Sequence, residues 1–210
     1  MIESIKKFIY AINPDILVQA PSRINLINPL DAVEGDFWMP SVAINGIANP
    51  LSTFVYIKKV RTRSKICKYK ITKTQEKYQL ELECEEVLAK EIESLSNHKS
   101  SEFKLFYASI YRLFETIPHY KQVFLTRNIE IGIISTIPKQ SGLGGSASII
   151  LGLLYGLVYY FELIEKKPTW FKAQFPINKD IIAEIATKVE DEDLKITAGY
   201  SDRYIISRGG

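Results

Sequence analysis

Apolar positions along this chain change period several times, and the changes mark its elements. Residues 4–11 are spaced as a short helix, after which 16–19 and 23–27 run apolar or alternate as strands do, broken at Pro21 and Pro29. Residues 37–44, 53–59, 65–72 and 78–83 each hold β-branched or aromatic side chains between turn-prone or charged breaks, which predicts four more strands. The last two pair as a hairpin across 73–77. From Glu85 the spacing turns helical: Val87, Leu88, Ile92 and Leu95 share one face, and Phe103, Phe106, Tyr107, Ile110, Leu113 and Phe114 lie on a second helix beyond the turn NHKSS. Residues 128–135 alternate again as a strand, and a helix from about 146 to 163 follows a glycine-rich loop. Residues 166–178, with Pro168 and Pro176, read as a connector. Residues 179–191 are helical through Ile181, Ile182, Ile185 and Val189, and 204–207 read as a last strand.

An early block of strands that then interleaves with helices indicates an α+β domain. At 210 residues and 46% hydrophobic content the chain is long enough to bury a core and is no disordered tail. Lys+Arg 27 against Asp+Glu 24 gives a net +3, too balanced for a protein that wraps a nucleic acid backbone and well suited to a small anionic ligand. The basic stretch from Lys58 to Lys73 is explained by exposed strand faces, so no nucleic acid partner is expected.

Two cysteines, Cys67 and Cys84, and two histidines give a zinc site or a disulfide scaffold little to work with, so both cysteines are read as reduced and structural. The N-terminus MIESIKKFIY has neither a long apolar run nor a small-residue cleavage site, which points to the cytoplasm. The apolar stretch 149–163 is shorter than the roughly 20 residues a membrane span needs and contains Gly152 and Gly156. It reads as a buried helix, with no membrane partner.

The chemistry concentrates in Pro138-Lys-Gln-Ser-Gly-Leu-Gly-Gly-Ser-Ala-Ser148, between a predicted strand and a long helix. Gly142, Gly144 and Gly145 allow tight turning and close approach to a phosphate, while the following helix aims its unpaired N–H groups and positive dipole end at bound anions. Ser146 and Ser148 are placed to cap that helix, and one of the two hydroxyls can ligand Mg²⁺. No Lys-Ser/Thr pair closes the loop as a P-loop requires, and no acidic residue ends a following strand as in dinucleotide folds.

The pattern P-x-x-x-G-L-G-G-S-A-S resembles the second motif of the GHMP kinases, the family of galactokinase, mevalonate kinase and homoserine kinase. Two other segments strengthen the resemblance. Residues 20–31, APSRINLINPLD, look like the family's first motif, whose loop lines the acceptor pocket; Asn28-Pro-Leu-Asp31 is closer to the N-P-S-D form of glucuronokinase-like enzymes than to the G-E-H-x-D of galactokinase. Residues 185–210 match the heptose and glucuronate kinase pattern at Glu190, Glu192, Gly199, Asp202, Arg203, Gly209 and Gly210.

The resemblance implies a GHMP kinase N-terminal domain over 1–210, of the ribosomal protein S5 domain 2-like fold, a mixed sheet with packed helices. It further implies ATP and Mg²⁺ as cofactors and transfer of the γ-phosphoryl group to a hydroxyl of a sugar or sugar acid. By the same resemblance Pro138, Gly142, Leu143, Gly144, Gly145, Ser146, Ala147 and Ser148 hold the nucleotide. Ser146 and Glu190 match the metal ligands, with Glu192 the alternative carboxylate. Asp202 matches the catalytic aspartate and Arg23 the basic residue paired with it, and Asn28, Asp31 and Asp202 face the acceptor. The family continues with a C-terminal domain that this sequence does not contain, so the chain is expected to be truncated, to be completed by a second chain, or to bind without catalysis, with that second chain or a homo-oligomer as partner. The competing expectations are a noncatalytic nucleotide-binding module and a kinase acting on a non-sugar alcohol such as mevalonate.

Overall fold

The computed structural model describes residues 1–26, 40–46, 50–74, 77–88, 92–96, 103–164, 178–196 and 201–209. Its centre is a six-stranded mixed sheet in the order β2-β1-β3-β6-β4-β5. The strands are β1 (Ile16–Asn25), β2 (Ser41–Ile44), β3 (Ser52–Lys59), β4 (Lys65–Thr74), β5 (Lys77–Glu86) and β6 (Ile129–Ser135). Neighbours run antiparallel except β4 and β6, which are parallel, as expected when helices occupy the connection between them. Seven α-helices accompany the sheet among the described residues: α1 (Ile2–Ile12), α2 (Ile92–Ser96), α3 (Lys104–Thr116), α4 (Pro118–Leu125), α5 (Gly145–Ile164), α6 (Lys179–Lys188) and α7 (Ser201–Arg208). A π-helical turn, Val189–Asp193, extends α6.

The main core lies between the sheet and the layer of α3, α5 and α6, filled by Val55, Ile57, Ile131, Ile110, Leu113, Leu154 and Phe161. The central helix α5 runs close over β1 and β3 because Gly152 has no side chain; a Cβ there would meet Val55 Cγ2 at 2.9 Å. α5 is long and apolar enough to cross a membrane, yet 72% of its apolar window is buried inside the fold, so its hydrophobicity is spent on the core. On the opposite sheet face α1 lays Ile5 and Phe8 over Phe54, Tyr56 and Tyr69. α1 ends at Asn13, whose left-handed backbone (φ 50) is the usual way for a helix to stop without glycine.

Several expectations need correction. β1 is one strand, not two: Pro21 lies at the last pairing with β3, opposite Ser52, and β2 takes up the other edge only from Ser22, so the missing N–H leaves no ladder bond unmade. β5 extends through Glu86, where helical spacing was expected to start at Glu85, because the whole length of the hairpin pairs with β4. Residues 204–207 belong to helix α7, not a strand. A short apolar run fits either period, and here Arg203, Ile206 and Ser207 turn to the interior at helical spacing. α4, not foreseen from the pattern, begins with Pro118 in its first turn, where proline's missing N–H costs nothing.

The cysteines are also corrected: Cys67 and Cys84 form a disulfide. They are directly opposed residues of the β4–β5 ladder, with Cα atoms 4.1 Å apart. Expecting reduced thiols rested on their small number; the hairpin register is what brings them together. The expected sugar-facing loop with Asn28 and Asp31 falls outside the described residues, as do Gly199 and Gly210.

Candidate active site

Three segments distant in sequence meet at the N-terminal end of α5: β1 with Arg23, the β6–α5 loop, and the π turn with α7. The loop turns through left-handed backbone at Gln140 (φ 56), Gly142 (φ 71) and Gly144 (φ 70) before entering the helix. The first helical bond of α5 runs from the Ser148 N–H to the Gly144 carbonyl at 2.9 Å. The amides ahead of Ser148 have no carbonyl one turn back, so they project from the helix end with its partial positive charge. Gly144 is required twice over, by its positive φ and because a Cβ there would lie 3.0 Å from Arg23 Cγ.

Arg23 binds this corner together. Its side chain, 11% exposed, donates from Nε and Nη2 to the two carboxylate oxygens of Asp202 at 2.5 Å each, and from Nη1 to the Gly142 carbonyl at 2.6 Å. Its backbone N–H donates to the Leu143 carbonyl at 3.2 Å. A planar guanidinium can make this fork-to-fork pair and still reach a third acceptor, which a lysine ammonium on a flexible stem cannot hold in one geometry. One side chain thereby fixes the loop and the aspartate against the sheet.

Behind the loop sits Glu190, 2% exposed. Its Oε1 accepts the Ser146 hydroxyl at 2.7 Å, while its Oε2 takes the guanidinium of Arg203, which is fully buried. A buried ion pair is tolerated when its remaining lone pairs are bonded, and the Ser146 hydroxyl meets that need. Glu192 and Asp193 turn the other way. Asp193 binds Arg112 on α3 through both oxygens at 2.9 and 2.6 Å, and Glu192 reaches the same guanidinium at 2.8 Å. The Asp193 hydrogen bonds lead the causes that raise Arg112 above its ordinary value. Of the two carboxylates left open as metal ligands, Glu190 is the one beside Ser146.

The donor set fits Mg²⁺. That cation keeps several waters and takes one or two carboxylates together with phosphate oxygens, so a dense acidic cage is not needed. Among the described residues no group of three or more His, Cys, Asp and Glu is placed to hold a metal ion, whereas Ser146 stands exposed on the loop with the buried Glu190 carboxylate 2.7 Å behind it.

The loop opens on a cleft of about 1140 Å³, roomy by the standard of small-molecule sites. Pro138, Gly142, Leu143, Gly144, Gly145 and Ser146 line it together with Arg23 and Asp202. Ala147 and Ser148 lie behind the loop instead: both are buried, and the Ser148 hydroxyl donates to the Ala20 carbonyl at 3.0 Å, fastening α5 to β1. The far wall is the β4–β5 hairpin, with Lys68, Lys70, Glu81 and Glu83, and Leu105, Phe106 and Ile149 make an apolar floor. Sequence reasoning gave no role to this wall or to the Arg203 pairing. The wall's signal was present in the lysines clustered along 65–73 and the glutamates along 81–86, whose faces only the register defines.

Comparison with known proteins identifies the family and the fold. The profile of the GHMP kinases N terminal domain matches residues 104–210. A D-glycero-alpha-D-manno-heptose 7-phosphate kinase from Campylobacter jejuni subsp. jejuni is 32% identical over 76 residues, 36% of this chain and 19% of that protein. Among solved structures, the mevalonate kinase of Methanococcus jannaschii superposes with a TM-score of 0.65 at 22% identity, covering 93% of this chain and 51% of that one. The Lactococcus lactis galactokinase complexed with galactose gives 0.64 at 16% identity, covering all of this chain and 47% of that one. The chain thus spans about half the length of the solved kinases it resembles, with the same overall fold. The chain belongs to the GHMP kinase family and carries its N-terminal domain.

Proposed function

We propose that this chain is the nucleotide-binding part of an ATP- and Mg²⁺-dependent kinase that phosphorylates a hydroxyl of a sugar or sugar acid in the cytoplasm. The single observation that carries the reading is the convergence of Arg23, Asp202 and the Gly142–Gly144 backbone at the open end of α5. Phosphoryl transfer asks a protein mainly to position its reactants and to balance spread negative charge. The loop amides and the α5 dipole serve the phosphates, and Ser146 with Glu190 would hold the metal. Mg²⁺ bound there supplies charge neutralisation across the phosphate oxygens.

Asp202 is the acceptor-side residue. Clamped by Arg23 at the mouth of the cleft, its carboxylate would accept or orient the proton of the attacking hydroxyl. Arg23 also bonds the loop, so the base and the phosphate cradle keep a fixed spacing. The sugar preference is supported by the partial match to a heptose-phosphate kinase and by the Asn28–Asp31 motif, while the mevalonate kinase neighbour speaks for the fold alone.

The test is ADP release, coupled to a spectroscopic readout, over free sugars, uronic acids, heptose phosphates and mevalonate. It is run with the chain alone and with any separately encoded polypeptide that supplies the rest of such a kinase. Mg²⁺-dependent ADP release with a sugar or uronic acid is expected. Release with mevalonate only would reassign the acceptor, and nucleotide binding with no release for any acceptor would leave a binding module.

A further inference from the structure

We propose that the Cys67–Cys84 disulfide is a redox-controlled clasp on the hairpin wall of the cleft, a thiol–disulfide exchange site whose state sets how firmly that wall holds a nucleotide. The inference rests on the nucleotide reading only for its effect on affinity, since the clasp itself is a property of β4 and β5.

Three observations carry it. First, among the described residues β5 is the last strand of the sheet, paired on one side only, to β4. Edge strands open at lower free energy than central ones, so whatever crosslinks β5 governs its motion. Second, the same two strands form the wall: β4 contributes Lys68 and Lys70 to the cleft and β5 contributes Glu81 and Glu83, with Lys68 opposite Glu83 and Lys70 opposite Glu81. The pair Cys67↔Cys84 adjoins Lys68↔Glu83 in the ladder, so opening at the cysteines is felt one residue away in the cleft. Third, the two half-cystines differ in access. Cys67 is fully buried under α1, in the cluster with Ile5, Tyr56 and Tyr69, whereas Cys84 is exposed on the outer strand.

That asymmetry defines the chemistry. A dithiol reductant approaches from the Cys84 side: one of its thiolates attacks Cys84 Sγ, the Cys67–Cys84 bond breaks, and Cys67 leaves as a thiolate that takes up a proton. The second thiol of the reductant, as its thiolate, then attacks the mixed disulfide and releases Cys84 as the thiol. Two electrons and two protons have passed from the reductant to the pair, and the reductant ends as a disulfide. Disulfides in a reducing compartment are usually redox-sensing or catalytic, and the exposure of one half-cystine gives such exchange a route in.

The test compares the oxidised protein with protein reduced by dithiothreitol, using the C67S/C84S double variant as the control that cannot respond. Amide hydrogen exchange over 77–86 should speed up by about tenfold or more on reduction, with β3 unchanged. The affinity for Mg²⁺ and a non-hydrolysable ATP analogue, measured by calorimetry, should weaken by about threefold to tenfold in the same samples. The double variant should match the reduced protein under both conditions. Equal exchange in the two redox states, or a double variant that still responds to dithiothreitol, overturns the clasp. Failure to bind the analogue in either state overturns the nucleotide reading instead, and the exchange data still decide the clasp.

Discussion

The two ends of the cleft are built to opposite specifications. At the α5 end every functional group is held from several directions: Arg23 joins strand, loop and helix, and Glu190 joins α5 to α7 through Ser146 and Arg203. At the hairpin end Lys68, Lys70, Glu81 and Glu83 sit on strands joined by the β4–β5 ladder and the disulfide, with β6 pairing β4 from the other side and Lys65 bound to Glu130 at 2.8 Å. On the function proposed above, the difference teaches that this fold over-determines the place where charge would be balanced during phosphoryl transfer and leaves adjustable the place that would enclose the ligand. Preorganised groups are useful only when they cannot relax away from the transition state.

The comparison can be broken most directly at Asp202. D202N should lower turnover by roughly 10²–10⁴-fold, the usual worth of a positioned acid–base group, with affinity for Mg²⁺ and ATP unchanged. The same isosteric change across the cleft, E81Q, should leave kcat within about threefold, since an interaction of an exposed charge is worth at most about 1 kcal/mol. Steady-state kinetics of both variants decide it, and equal losses would erase the distinction between the two ends.

Stability gives the next test. R203M removes one partner of the fully buried pair and leaves Glu190 charged in the interior, which should cost about 3–5 kcal/mol in urea unfolding. An effect below about 1 kcal/mol, the range of exposed pairs, would mean that the α5 end is no more tightly built than the hairpin.

The smallest expected effect concerns the hairpin's anchor. Burial works to raise the Glu130 carboxyl, but hydrogen bonds from Lys65 and Tyr56 outweigh it and hold the group below its usual 4.5. A carboxylate depressed in the folded state stabilises the protein above its unfolded pKa and loses that contribution as pH falls through the folded value. Wild type should therefore exceed E130Q by about 1 kcal/mol near neutrality, with the two curves converging below about pH 4. Thermal melts across pH 3–7 check this, and a constant gap would refute it. Tyr56, raised by burial first and then by its bond to Glu130, stays a neutral donor throughout.

Much of this was legible in the sequence, and the failures share a cause. The loop from Pro138, the strand before it and the helix after it are local, and glycine and period reveal them directly. Asp202 and Arg23 were found by motif, but that they meet required a chain separation of 179 residues to be closed by folding. The features that escaped were set by register or phase. The disulfide depends on which residues oppose each other in the hairpin, and α7 was mistaken for a strand because a short apolar run fits both periods. Pro21 misled because its cost depends on which strand edge is occupied. That Glu190 and not Glu192 lies beside Ser146 likewise depends on Arg112, 78 positions before the first of them, being in place.

The π turn at Val189–Asp193 has a meaning beyond the site. Each residue of an ordinary helix advances about 100° around the axis, so an extra residue within one turn acts as a phase offset between the helix before it and the chain after it. Here it lets a single run of acids serve two addresses, one beside Ser146 and Arg203 and one on α3. Such a device tolerates changes of letter better than changes of length: losing one residue in this turn would rotate the register on which both addresses depend, even if every charge were kept.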